Sequence, residues 1–154
     1  MANCTGRFTN AGRAKVASYL KDTDQLPEIY VAWGSGAETI ANTDTSLGFE
    51  IDRKLGTVTR TDADTYTVTA SFEVELAGTF SEMGLFDASS GGTMLYRGGY
   101  STDSPVGVYD VESLTVADGD TLNLTIEVDI KSTNVSVTTA GKTKALDILS
   151  AKTS

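Results

Sequence analysis

The sequence predicts a mainly β domain: an antiparallel β-sandwich of about seven or eight strands, with an N-terminal helix and a short C-terminal helix. Three observations predict it. Two long runs alternate strictly between apolar and polar residues. The chain holds 23 threonines and 15 glycines but only 2 prolines, a balance suited to strands and tight turns. Its 154 residues, 40% of them hydrophobic, suffice for one hydrophobic core and therefore one domain.

The first long run is TYTVTASFEVEL, residues 65–76. Tyr66, Val68, Ala70, Phe72, Val74 and Leu76 alternate with Thr65, Thr67, Thr69, Ser71, Glu73 and Glu75. A period of two sends each set to its own face, so the apolar set is expected in the core. The second run is DTLNLTIEVDIK, residues 120–131. There Leu122, Leu124, Ile126, Val128 and Ile130 point inward, and Thr121, Asn123, Thr125, Glu127, Asp129 and Lys131 point outward. Asp118-Gly119 ahead of it is a turn signal.

The remaining elements follow in order. Residues 10–20, NAGRAKVASYL, read as a helix capped by Asn10, with Val16, Tyr19 and Leu20 on one apolar stripe. Residues 21–27 read as a loop, because Leu26-Pro27 favours extended backbone. Residues 28–33, EIYVAW, form a buried strand that breaks at Gly34-Ser35-Gly36. Residues 37–48 are polar and turn-like; residues 49–55 give a short alternation through Phe49 and Ile51. Residues 56–61 form a short strand before the Asp62–Asp64 turn. FSEMGLFD and TMLYRGGY flank the hairpin-like Ser89-Ser90-Gly91-Gly92. Residues 101–109 read as a surface loop.

Charge and composition remove whole classes of function. The chain has no histidine, one cysteine (Cys4) and a net charge of −9. Ser-His-Asp and Cys-His triads and His/Cys zinc sites are therefore excluded. So acidic a chain is a poor phosphate-backbone binder, and no nucleic-acid partner is expected. No run of 18 apolar residues occurs, so no membrane partner is expected. The start MANCTGRFTN has no apolar leader, so folding in a cytoplasm is expected. The Asn-x-Ser/Thr matches at Asn3, Asn123 and Asn134 read as chance in a chain about one quarter Ser and Thr.

The candidate chemistry is all carboxylate. Asp22/Asp24, Asp62/Asp64 and Asp118/Asp120 are D-x-D pairs in turns, too sparse for a calcium loop. Glu73, Glu75, Glu127 and Asp129 lie on solvated faces, with no burial to raise a pKa for acid catalysis. No catalytic residue, metal or cofactor is expected. Trp33, Met83 and Met94 read as core. Tyr96, Tyr100 and Tyr109 cluster around the long loop and suit protein contact.

The two ends of the chain echo each other. FTNAGRAKVASYL (8–20) and VTTAGKTKALDIL (137–149) share Thr, Ala, Gly, Lys and Leu at five matching positions. This divides the chain into residues 1–131, the β domain with its helix, and residues 132–154, an arm and second helix. Ala145, Leu146, Ile148 and Leu149 form an apolar stripe that needs a partner surface, because so short a helix is marginal alone. With Tyr100 and Tyr109, they are the candidate assembly interface.

An ordered set of motifs carries a resemblance. FTNAG with its helix comes first, then WGSG (33–36), TSLGFEI (45–51), SEMGLFD (81–87), GG-x-x-LYR (91–97) and GDTLNLTI (119–126). The order resembles small tail-fibre and baseplate-type proteins of tailed bacteriophages, including the N-terminal domain of tail-collar fibre proteins. The resemblance implies a structural virion protein: a tail, collar, baseplate or fibre-anchoring subunit without an active site. Its implied partners are itself, as a homo-oligomer such as a trimer or ring, and other virion proteins. The alternatives are a capsid-decorating protein of the same particle and a carbohydrate-binding β-sandwich module. The outward faces of both long strands carry no aromatic residue, which speaks against the sugar-binding alternative.

Overall fold

The structure, a computed structural model, describes residues 4–20, 27–61, 65–100 and 113–129. They form ten strands and one helix. The strands are β1 (Cys4–Phe8), β2 (Tyr30–Gly34), β3 (Glu50–Leu55), β4 (Thr57–Arg60), β5 (Thr65–Glu73), β6 (Gly78–Phe80), β7 (Glu82–Phe86), β8 (Met94–Tyr100), β9 (Leu114–Val116) and β10 (Thr121–Asp129). The helix is α1 (Asn10–Leu20). One sheet runs β1-β8-β7-β2-β3, a second β10-β5-β4, and β6 pairs with β9. Every pairing is antiparallel.

The two long alternations pair in register: Phe72 opposite Leu122, Val68 opposite Ile126, Tyr66 opposite Val128. Their apolar face packs on Val31, Trp33, Met83, Leu85 and Tyr96 of the five-stranded sheet. Trp33 meets Phe72 edge-on, with ring centroids 6.4 Å apart. β3 and β4 are one extended run broken only at Gly56, and this run carries the chain from the first sheet to the second.

Three sequence expectations are corrected. The strand count exceeds seven or eight because β6 and β9 are three-residue pieces that pair with each other, and because Cys4–Phe8 is a strand. β1 has no apolar period to announce it; it exists because β8 offers it a full five-residue register. Leu76 is not core but 81% exposed. β5 ends at Glu73, and the Val74 backbone bonds to the Gly119–Asp120 turn, so the alternation stops before Leu76. The helix cap is Thr9 rather than Asn10. The Thr9 carbonyl accepts the first helical bond, from the Arg13 N–H at 3.0 Å, and its Oγ1 accepts the Gly12 N–H at 2.8 Å.

Thr9 also anchors the helix to the sheet. It is fully buried, its N–H donates to Leu95 O at 3.0 Å, and its hydroxyl donates to Met94 O. The β7–β8 register shifts here, leaving Leu95 as an extra residue between Tyr96 (opposite Leu85) and Met94 (opposite Phe86). Gly12 lies directly on this bulge: a Cβ there would stand 2.1 Å from Leu95 O. Alanine at residue 12 would therefore push α1 off β8.

Candidate functional site

The five-stranded sheet has two faces of different character. Pairing places Ala32 beside Gly84 and Gly84 beside Arg97, and Gly34 beside Glu82 and Glu82 beside Gly99. Cross-strand partners share a face, so these six residues line the side away from the main core. Four of them are Ala or Gly. The smallness lets residues 35–49, a segment without regular structure, lie flat on the sheet. Leu47 fixes one part of this segment by packing with Ala32, Phe86 and Met94.

Charge fixes the rest. Glu82 is fully buried, and its carboxylate is saturated. Oε1 accepts the N–H groups of Gly36 and Phe49, both at 2.8 Å. Oε2 accepts the Gly48 N–H at 3.0 Å and Arg97 Nη2 at 2.8 Å. The same guanidinium donates through Nη1 to Asp44 at 2.7 Å and reaches Glu38 at 3.4 Å. Burial pushes the Arg97 pKa down, but the hydrogen bonds and charges of Asp44 and Glu82 outweigh it, and the net direction is upward. Glu82 thus clamps both ends of the 35–49 segment, and Ser81 adds a 2.7 Å bond from its hydroxyl to Gly36 O. Gly36 is sterically required, because a Cβ there would sit 2.3 Å from Glu82 Oε1.

Above Arg97 lies an open polar cleft of about 350 Å³, lined by Glu38, Thr39, Thr43, Asp44 and Ser46. Within it Arg97 is paired with Asp44 at 2.7 Å and reaches Glu38 at 3.4 Å, whose side chain stays 64% exposed. Among the described residues, no group of three or more His, Cys, Asp or Glu is placed to hold a metal ion.

The chain leaving this cleft becomes β3, which among the described strands of its sheet has β2 as its single neighbour. Phe49, Ile51 and Leu55 are 64%, 45% and 53% exposed. The strand beneath them is held firmly. Arg53 donates to both Glu50 oxygens at 2.8 and 2.6 Å, and to the carbonyls of Ala88 at 3.0 Å and Gly91 at 2.8 Å. Its guanidinium also stacks 3.5 Å from the Phe86 ring centroid. Three large apolar side chains thus stand exposed along this edge, interleaved with Glu50, Asp52, Arg53 and Lys54.

The residues singled out in the sequence are dispersed. Glu73 lies opposite Thr121 and Glu127 opposite Thr67, six positions apart along the paired strands, about 20 Å. Both are exposed, and that separation is too wide for a glycosidase pair. Asp120 Oδ2 caps its own turn, accepting the Ala117 N–H at 2.7 Å. Tyr100 packs edge-on against Phe80 at 5.8 Å and so serves this chain's own core. Tyr109, Ala145, Leu146, Ile148 and Leu149, the segment 132–154, the 101–109 loop, Ile130 and the other two D-x-D pairs lie outside the described residues.

Sequence reasoning missed the clamp: Glu38, Asp44, Glu82 and Arg97. A signal was present. Glu82 interrupts FSEMGLF and Arg97 interrupts MLYRGGY, each a lone charge in a short apolar run. Buried charges of opposite sign on adjacent strands are expected to find each other.

No protein-family model matches the sequence, and no curated protein matches it either.

Proposed function

We propose that this chain is a structural virion protein of a tailed bacteriophage, a tail, collar, baseplate or fibre-anchoring subunit that works through protein–protein contacts. Its partners in this reading are further copies of itself and other virion proteins, and it performs no catalysis. The observation that carries the reading is that Phe49, Ile51 and Leu55, three large apolar side chains, stand exposed along β3, which pairs with β2 alone among the described strands. Large apolar side chains gathered on one rigid edge favour association over solvation. The ordered motifs of the resemblance support the same reading and supply the kind of particle.

The sugar-binding alternative finds less support, because the polar cleft beside Arg97 is lined by no aromatic residue. The test is a native mass of the purified chain, together with antibody labelling of phage particles. A mass that is a multiple of 16.2 kDa and a discrete labelled position are expected. A single chain at every concentration and unlabelled particles would sink the proposal.

A further inference from the structure

We infer that residues 35–49 are a latched strap: they open as one unit while the two sheets stay folded, and Glu82 is the latch.

The strap is a loop closed on itself. At its base the Ser35 N–H donates to Phe49 O at 3.0 Å, so the two ends meet. Both ends also converge on one side chain. Gly36 from one end, and Gly48 and Phe49 from the other, donate their N–H groups to the Glu82 carboxylate. Farther along, Asp44 and Ala41 exchange two bonds: the Asp44 N–H donates to Ala41 O at 3.2 Å, and the Ala41 N–H donates to Asp44 Oδ2 at 2.8 Å. A contiguous segment with its own turn and a single point of attachment for both ends has what a cooperative opening unit needs.

The rest of the molecule gives up little when the strap lifts. Among the described residues, the main core draws none from the strap. Of the strap's three large apolar side chains, Phe49 is exposed; only Ile40 and Leu47 are buried, Leu47 against Ala32, Phe86 and Met94. Ala32, Gly34, Gly84 and Gly99 beneath it add almost no apolar area to what water would reach. No buried charge is stranded either. Glu82 and Arg97 stand on the adjacent strands β7 and β8, and their 2.8 Å pair stays whole when Asp44 and Glu38 depart with the strap. The heavy penalty falls on a buried charge that loses its partner, and this opening leaves none.

One contact outside the strap follows it. The Asn10 N–H, at the start of α1, donates to Asn42 O at 2.7 Å. Opening frees this amide, while Thr9 keeps its bonds to Met94 and Leu95.

The test is residue-resolved amide hydrogen exchange on the full-length chain, in urea below the unfolding transition. In the wild type, the amides of Asn10, Gly36, Ala41, Gly48 and Phe49 are expected to share one opening constant and one urea slope. Val68 and Ile126, paired between β5 and β10, are expected to exchange more slowly and with a steeper slope. Two variants then probe the coupling. Glu82→Gln is expected to speed Asn10 and Ala41, whose bonds do not involve residue 82, by the same factor as Gly36, Gly48 and Phe49. Leu47→Ala is expected to speed all five about tenfold or more. Both variants should keep Val68 and Ile126 slower than the five. Differing slopes, or acceleration confined to amides beside each substitution, would show independent fluctuations and overturn the inference. So would five amides that share the constant and slope of Val68 and Ile126, since the strap would then leave only with global unfolding, or strap amides with no protection at all. The wild-type slopes decide the question by themselves if either variant fails to fold.

Discussion

The inner and outer faces of the five-stranded sheet are held by different forces. On the inner face, Val31, Trp33, Met83 and Leu85 meet the alternating side chains of β5 and β10, and removal of apolar area from water stabilises the contact. On the outer face, Ala32, Gly34 and Gly84 offer little area. A covering segment is held mainly by one saturated carboxylate and one guanidinium, with Leu47 packed on Ala32, Phe86 and Met94. The inner face depends on volume spread over many residues. The outer face depends on two charges that cannot be separated. A core of the first kind tolerates conservative exchange, whereas a clamp of the second kind is weakened when either partner is removed, because buried donors or acceptors lose their partners.

The largest expected effect tests the inner face. Phe72→Asp places a charge where the wild-type side chain is fully buried and also removes a large apolar group. A loss of about 5 kcal/mol or more is expected, enough to leave little folded protein in a urea titration. Wild-type melting would show that the β5–β10 register is wrong.

Glu82→Gln comes next and separates the two faces most sharply, since it changes charge at nearly constant volume. It should cost about 3 kcal/mol, because the new amide nitrogen faces N–H donors that the carboxylate accepted, and Arg97 keeps only Asp44 as a close counterion. Phe72→Leu, which changes the volume of the inner face but no charge, should cost about 1.5 kcal/mol or less. Equal losses for the pair in denaturant melts would erase the distinction.

Thr9→Ala removes the cap and the anchor on Met94 O together, and a loss of about 1–2 kcal/mol is expected. Asn10→Ala should change stability by less than about 0.5 kcal/mol. The reverse order in thermal melts would return the cap to Asn10. Smallest of all is Leu76→Ser. At 81% exposure it should shift stability by under about 0.5 kcal/mol, while Val74→Ser, two residues earlier and buried, should cost several times more.

Legibility follows the same division between faces. The alternation of Tyr66 to Val74 and Leu122 to Val128 named the inner face correctly, because burial on one side of a strand imposes a period of two on the residues themselves. The helix at residues 10–20 was legible for a similar reason. Its cap was not, because Thr9 and Asn10 are both good caps and the choice fell to β8, whose Met94 and Leu95 carbonyls take the Thr9 hydroxyl and N–H. Leu76 was misplaced because the alternation continues in sequence past the point where the Gly119–Asp120 turn takes over the Val74 backbone. At the candidate site, Phe49 and Ile51 were noted as an alternation, but nothing local said that their edge stays uncovered by the other described strands.

The sequence by itself determined the class of fold, the two long strands and the exclusion of histidine- and cysteine-based chemistry, since these rest on composition and on periods within ten residues. Only the tertiary structure decided that Glu82 and Arg97 meet across β7 and β8, that Glu38 and Asp44 join them from a segment about forty to sixty residues away, and that β3 is the last described strand of its sheet, with Phe49, Ile51 and Leu55 exposed. Those outcomes depend on which strands become neighbours. Neighbour choice is set by the summed burial and pairing of the whole chain, so no single stretch of residues records it.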